Sequence, residues 1–184
     1  RSNGSPMSKK KRLGRKKNKN HERERLDSMK TVVITGCAGL LGSHLSRHLI
    51  SKGYRIIGID DLSGGYIDYL PDATPEQFEF WPINLATDWK SVEKAFSSEE
   101  IEACFHFAAY AAEGLSPFIR RFNYQNNVIA SANVINQCIN NNIKLVFTSS
   151  MAVYGNQAPP FTEKMTPQPI DPYGIAKYAV EMDL

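Results

Sequence analysis

The sequence predicts an α/β fold of the Rossmann type, a doubly wound parallel sheet covered by helices. Three observations carry that expectation. Short β-branched runs alternate with helical periodicity from Thr31 onward, a glycine-rich turn joins the first run to the first helix, and an acidic pair closes the second run. Strands are expected at 31–35, 55–59, 78–82, 103–107 and 144–148. Between them, Leu41, Leu45, His48 and Leu49 make one apolar helix face that Gly53 ends. Trp89, Val92 and Phe96 make a shorter one, and Val128, Ala132, Ile135 and Ile139 recur at helical spacing after Asn127. A last helix begins near Tyr173. Pro159, Pro160, Pro167, Pro169 and Pro172 make the connection before it a loop.

With 184 residues and 42% hydrophobic content, the chain can bury one real core. Cys37, Cys104 and Cys138 are odd in number and lack metal or redox spacing, which points to reduced thiols and a cytoplasmic setting. No metal site is expected: His44 and His48 lie one turn apart on a helix face expected to be partly buried, without a third ligand. His106 ends a buried strand and is expected to pack against the sheet. No apolar run reaches the roughly 18 residues that a membrane span needs. The net charge of +3 is divided unevenly, because residues 1–30 hold twelve of the 22 Lys/Arg and three of the 19 acids. Residues 1–28 therefore read as a basic, disordered tail or a leader left by cloning, with 29–184 as the folded domain. Such a tail can bind nucleic acid through its charge alone, although its composition favours a solvated tail without a specific partner.

Thr35-Gly36-Cys37-Ala38-Gly39-Leu40-Leu41-Gly42 lets the backbone turn sharply, approach a pyrophosphate and aim the helix N-terminus at it. The contacts expected there come from Gly36, Gly39, Leu40, Leu41 and Gly42. Eighteen residues past Gly42 the second strand ends in Asp60-Asp61. A carboxylate at that place accepts both ribose hydroxyls of an adenosine and repels a 2′-phosphate, which favours NAD over NADP.

Tyr173 and Lys177 stand four residues apart on one helix face. An ammonium within about 4–6 Å pulls down the pKa of a phenol, and Ser150 at the end of the fifth strand is expected to bridge the phenol and a substrate oxygen.

These features resemble the extended short-chain dehydrogenase/reductase family, the NAD-dependent epimerases and dehydratases, over about residues 30–184. T-G-x-x-G-x-x-G at 35–42, His106-Phe107-Ala108-Ala109, Asn127-Val128, Ser149-Ser150-Met151-Ala152-Val153-Tyr154-Gly155 and Tyr173-x-x-x-Lys177 fall in its order. The resemblance implies a catalytic triad of Ser150, Tyr173 and Lys177, with Lys177 also contacting the nicotinamide ribose. It implies a cofactor wall formed by Phe107, Ala108 and Ala109, and Asn127 in support of fold and site. Where the family often has an acid for the adenine amino group, this sequence has Asn84 before Leu85, and the amide oxygen is expected to substitute.

Dehydratases of the family carry a carboxylate two residues after the triad serine. Ala152 stands there and cannot exchange a proton, so the segment is more similar to nucleotide-sugar 4-epimerases such as those of UDP-glucose and UDP-galactose. Ala111 departs from them, since a lysine is frequent at that place. The substrate implied is a UDP-hexose or UDP-uronate. Family members build their substrate domain mainly after the Y-x-x-x-K helix and commonly dimerise, so the sheet is expected to stop short of its last strands and the whole protein to be a homodimer. A catalytically silent NAD-binding scaffold of the same fold, or another NAD-dependent sugar-nucleotide oxidoreductase or dehydratase, fits many of the same residues.

Overall fold

Strand β1 (Thr31–Thr35) is buried along its whole length, and the other elements are arranged to cover it. The remaining strands are β2 (Arg55–Ile59), β3 (Phe78–Trp81), β4 (Ile101–His106) and β5 (Lys144–Phe147). The computed structural model describes residues 29–184, so the tail read at 1–28 lies outside the described residues. In it the five strands pair in parallel in the order β3-β2-β1-β4-β5. All five expected strands form. The fourth begins two residues early, at Ile101, whose side chain joins the core.

Successive side chains of a strand point to opposite faces, so β1 feeds two cores. Val33 packs with Ile57, Ile59, Val92, Phe96 and Val134, whereas Val32 and Ile34 pack with Ile56, Cys37 and Ala103. The helices in chain order are α1 (Leu40–Ser51), α2 (Trp89–Ser97), α3 (Arg120–Tyr124), α4 (Ala130–Asn140) and α5 (Pro172–Asp183). Residues of α2 and α4 enter the first core and residues of α1 flank the second. A sheet covered on both faces needs unbroken apolar strands, which TVVIT and RIIGI supply. The three cysteines are unbonded and buried.

The helix faces differ from the sequence periodicity. On α1 the buried positions are Gly42, Ser43 and Ser46, while Leu41, His44 and His48 are exposed and Leu45 and Leu49 sit at the margin. Small residues let α1 approach the sheet closely, and Ser46 Oγ donates to Gly42 O at 2.7 Å. On α2, Val92 and Phe96 are buried but Trp89 is 55% exposed. The Asp88 side chain caps this helix by accepting from Ser91 N, which leaves Trp89 in the open first turn. The helical run expected after Asn127 begins earlier, at Arg120, and passes through a π turn at Gln125–Ile129 before α4. Its buried face is Asn123, Asn127, Ala130, Ser131, Val134, Ile135 and Cys138, so of the expected stripe only Ile135 is buried. Polar side chains with internal partners hold much of that face, and hydrophobicity does not mark them.

Phe96→Ala empties the centre of the first core and lowers the unfolding free energy by about 3–5 kcal/mol. Trp89→Ala changes it by less than about 1 kcal/mol. Urea unfolding of the two variants checks the pair.

Candidate active site

The chain runs from β1 outward through β2 to β3 and then returns to place β4 and β5 on the other side of β1. The strand order thus reverses at β1, and a crevice opens beyond the C-terminal ends of the strands there. It measures about 350 Å³. Gly36 and Gly39 from the first loop, Asp60 and Asp61 beyond β2, Leu85 beyond β3 and Phe107, Ala108 and Ala109 beyond β4 all line it.

The first loop is pressed against the fourth. Gly36 has φ +72°, and a Cβ there would lie 2.7 Å from Ala108 N. Its own N–H donates to Ile59 O at 2.8 Å, which ties the turn to β2. At Gly42 a Cβ would fall 2.1 Å from Gly36 O, so any side chain would push α1 off the turn. Ser43 N donates back to Gly39 O at 3.0 Å. The amides of Leu40, Leu41 and Gly42 precede it in the first helical turn, where N–H groups have no intrahelical partner and attract anions. The Leu40 and Leu41 side chains are exposed.

Asp60 holds this turn from below. Its Oδ2 accepts from Ala38 N at 3.0 Å and its Oδ1 from Leu62 N at 2.8 Å. Burial raises its pKa above the ordinary value, against the two backbone hydrogen bonds. Asp61 accepts from Ser63 N at 2.9 Å and from Asn84 Nδ2 at 2.7 Å. The Asn84 amide oxygen, expected to be open to an adenine amino group, instead accepts from Ala86 N, Thr87 N and Thr87 Oγ1 at 3.0–3.1 Å. An amide oxygen has two lone pairs, so these donors saturate it and the expectation does not hold.

A buried polar chain runs behind the crevice. Ala108 N donates to Thr35 Oγ1 at 3.2 Å, Thr35 Oγ1 lies 2.6 Å from His106 Nδ1, and His106 Nε2 lies 2.9 Å from Ser131 Oγ. Ser131 Oγ donates to Asn127 O at 2.7 Å, and a hydroxyl has one proton to give. His106 Nε2 must therefore carry the proton that Ser131 accepts, which leaves Nδ1 to accept from Thr35. Asn127 continues the chain: its Oδ1 accepts from Tyr110 N at 2.7 Å, and its Nδ2 donates to Tyr110 O and to Asn123 Oδ1. Asn123 Nδ2 then donates to Pro172 O at 2.8 Å, the first residue of α5.

Asp171 caps α5, accepting from Tyr173 N and Gly174 N at 2.9 Å each, and Ser116 Oγ accepts from Tyr173 N as well. Ser150 leads into the short 3₁₀ turn Met151–Tyr154 and accepts from Ala152 N at 3.2 Å. Gly174 lets α5 lie directly on that turn, since a Cβ there would be 2.6 Å from Ala152 O. Tyr173, 8% exposed, thereby meets the Ser150 hydroxyl. Lys177 Nζ donates to Thr148 O at 2.8 Å, 4.7 Å from the centre of the Phe147 ring and 6.0 Å from that of Tyr173.

The electrostatics differ from the sequence expectation. Burial raises the Tyr173 phenol above its ordinary pKa; the Ser150 hydrogen bond opposes this, and the carboxylates of Glu113 and Asp171 add to it. The ammonium of Lys177 is aimed at the Thr148 carbonyl, and burial lowers its own pKa to about 8. The structure thus brings Ser150, Tyr173 and Lys177 together without a depressed phenol.

Residues missed in the sequence are Thr35, Ser116, Asn123, Ser131 and Asp171. Asp171-Pro172 is an N-cap followed by proline in the first helical turn, a legible signal. The others sit among unremarkable polar residues, and no spacing marks them.

Burial, with the Lys177 charge adding to it, holds His106 at about 3, below the ordinary histidine value. A histidine neutral in the folded chain and protonated in the unfolded one favours unfolding as pH drops. Its contribution is complete above about 6.5 and is lost as pH falls from there toward 3. Nitrogen-15 NMR of the histidine ring is expected to show a neutral Nε2–H tautomer, unchanged between about pH 5 and 8.

The sequence of residues 32–184 matches the model of the NAD dependent epimerase/dehydratase family. A UDP-glucose 4-epimerase of Caenorhabditis elegans is 33% identical over 168 residues, covering 83% of this chain and 48% of that protein. The crystal structure of a Thermotoga maritima UDP-glucose 4-epimerase with UDP-glucose superposes with a TM-score of 0.77 at 33% identity, over 83% of this chain and 49% of that one. A Brucella ovis UDP-glucose 4-epimerase in complex with NAD gives 0.77 at 29% identity, over 84% and 46%. The chain spans about half the length of the curated relatives it matches. On this match, which takes in every described strand beyond Thr31 and the Ser150, Tyr173 and Lys177 cluster, the chain belongs to the NAD dependent epimerase/dehydratase family.

Proposed function

We propose that this chain provides the NAD site and the proton-transfer groups of a nucleotide-sugar 4-epimerase. The observation that carries the reading is the packing of α5 on the turn that follows Ser150, which gathers Ser150, the buried phenol of Tyr173 and Lys177, whose Nζ lies 6.0 Å from the Tyr173 ring centre. The crevice fits the cofactor: Gly36 and Gly39 line it without side chains, and the amides of Leu40 and Leu41 suit a pyrophosphate. Asp60 faces the adenosine ribose, and Phe107, Ala108 and Ala109 form an apolar wall for the rest of the dinucleotide. Bound there, NAD supplies a reversible hydride acceptor beside the sugar carbon.

The chain's own work is proton transfer and placement. Tyr173 takes the proton of the sugar 4-hydroxyl as the carbon is oxidised and returns it after the sugar has presented its other face. Ser150 bridges the phenol and the sugar oxygen and keeps the proton path short. Lys177, charged near neutral pH, favours the phenolate against the burial that opposes it. Ala152 and Met151 offer no acid beside the sugar, so elimination of water has no donor from this turn. UDP-glucose and UDP-galactose are the substrates to offer first, as the named relatives are UDP-glucose 4-epimerases.

Cofactor choice is tested on the 184-residue chain by calorimetric titration. NAD binds more tightly than NADP, and Asp60→Asn, which keeps the shape and removes the charge, narrows the gap. Equal affinities in the unaltered chain contradict the assignment.

Activity is tested by following interconversion of UDP-glucose and UDP-galactose by this chain and by a longer protein containing it. Tyr173→Phe abolishes turnover and leaves NAD bound, while Ser150→Ala loses on the order of 10²-fold. Lys177→Met loses both turnover and affinity. Because burial keeps the phenol protonated, turnover rises with pH through neutrality and levels near 8, where Lys177 gives up its charge. NAD binding with no turnover of any UDP-sugar would leave a silent scaffold, and accumulation of a 4-keto-6-deoxy sugar would mean a dehydratase.

A further inference from the structure

The segment that carries Ser150 leaves the sheet before it reaches that residue. Strand β5 ends at Phe147, paired with His106, and beyond it Thr148 N reaches His106 O only at 3.4 Å. From there α5 takes over the hold. Gly174, Lys177 and Glu181 stand three and four residues apart and so share one helix face. The first lies against Ala152 O, where a Cβ would come within 2.6 Å, and the second donates from Nζ to Thr148 O at 2.8 Å. The third accepts: Ser149 Oγ donates to Glu181 Oε1, and both residues are half-buried. A hydroxyl has one proton to give, so this bond commits Ser149 to α5. Neither Ser149 nor Glu181 has a part in the proton transfer itself.

We infer that Glu181 is a positioning residue for proton transfer, which sets the direction of the Ser150 hydroxyl by holding Ser149 against the third turn of α5. The inference rests on the roles proposed for Ser150 and Tyr173. Ser150 has extended backbone, φ −151° and ψ 149°, so its side chain and that of Ser149 leave the chain in different directions, and fixing one fixes the other. A single tether, from Lys177 to the Thr148 carbonyl, leaves the segment free to turn about its own axis. A second tether on the next side chain removes that freedom. The bond from Ala152 N to Ser150 Oγ shapes the turn that follows, whereas Glu181 fixes the approach to it.

Interconversion of UDP-glucose and UDP-galactose, by the full chain and by a longer protein containing it, tests the inference, with NAD affinity measured beside it. Glu181→Ala lowers kcat by about tenfold, the effect of one hydrogen bond to a charged group, and leaves KM and NAD affinity unchanged. Glu181→Gln keeps an oxygen that accepts from Ser149 and restores kcat. Ser149→Ala loses as much as Glu181→Ala, and the two together lose no more than either alone, as one shared contact requires. It also serves where a Glu181 variant does not fold. The rising limb of the pH profile adds a sign. Glu113, Asp171 and Lys177 are the charged groups that bear on the phenol, and the Ser150 hydroxyl opposes its burial. Releasing Ser150 therefore moves the limb to higher pH, whereas losing a carboxylate charge alone moves it lower. Unchanged kcat in Glu181→Ala, a glutamine variant as slow as the alanine one, additive losses or a limb moved lower overturns the assignment of Glu181 and leaves the epimerase reading standing. No turnover of either sugar by the unaltered longer protein overturns both.

Discussion

The contact between Gly36 and the backbone of Ala108 is the constraint on which the rest of the structure depends. It joins the loops leaving β1 and β4 at the point where the strand order reverses, and it leaves no space for a side chain. Thr35 reinforces it from inside the sheet, taking the Ala108 N–H and lying 2.6 Å from His106 Nδ1. One strand end therefore fixes the start of α1, the far wall of the crevice and, through His106 and Ser131, the backbone of Asn127. From Asn127 the same chain of hydrogen bonds reaches Asn123 and the first turn of α5. The glycine turn and the first turn of α5 thus share one hydrogen-bonded support.

That support is polar and almost wholly buried, with Thr35, His106, Asn123, Asn127 and Ser131 all shielded from solvent. Such a chain is stable only when every donor and acceptor is matched, because an unmatched buried polar group costs about 1–3 kcal/mol. Here the direction of each bond follows from the one before it. Protonating His106 would put a second donor where Thr35 must give its own proton, so burial and geometry both keep the ring neutral. The same dryness acts on Tyr173 and Lys177: it raises the phenol and lowers the ammonium, so the phenol holds its proton more tightly than the ammonium does.

The sheet is legible in the sequence because a doubly covered parallel strand needs an unbroken apolar run, and TVVIT and RIIGI have little other use. The glycine turn and the Tyr173–Lys177 pair are legible because each depends on spacing along one segment. The helix faces are less so. Gly42, Ser43 and Ser46 on α1 and Asn123, Asn127 and Ser131 on the later helices are buried for close packing or for hydrogen bonds, and apolar periodicity cannot see either reason. Asn84 shows the limit for site residues. Its position in the chain suggests an acceptor, but only its neighbours in space reveal that the oxygen is already used. Lys177 shows the same for electrostatics, since the direction of its Nζ toward Thr148 O depends on a strand 29 residues away.

A crystal structure of the chain with NAD tests the central claim most directly. The account predicts the pyrophosphate on the amides of Leu40 and Leu41, the adenosine beside Asp60 and Asp61, and the nicotinamide ribose within hydrogen-bond reach of Lys177 Nζ. A dinucleotide bound in the reverse direction, or outside the crevice between the β1 and β4 loops, would contradict it.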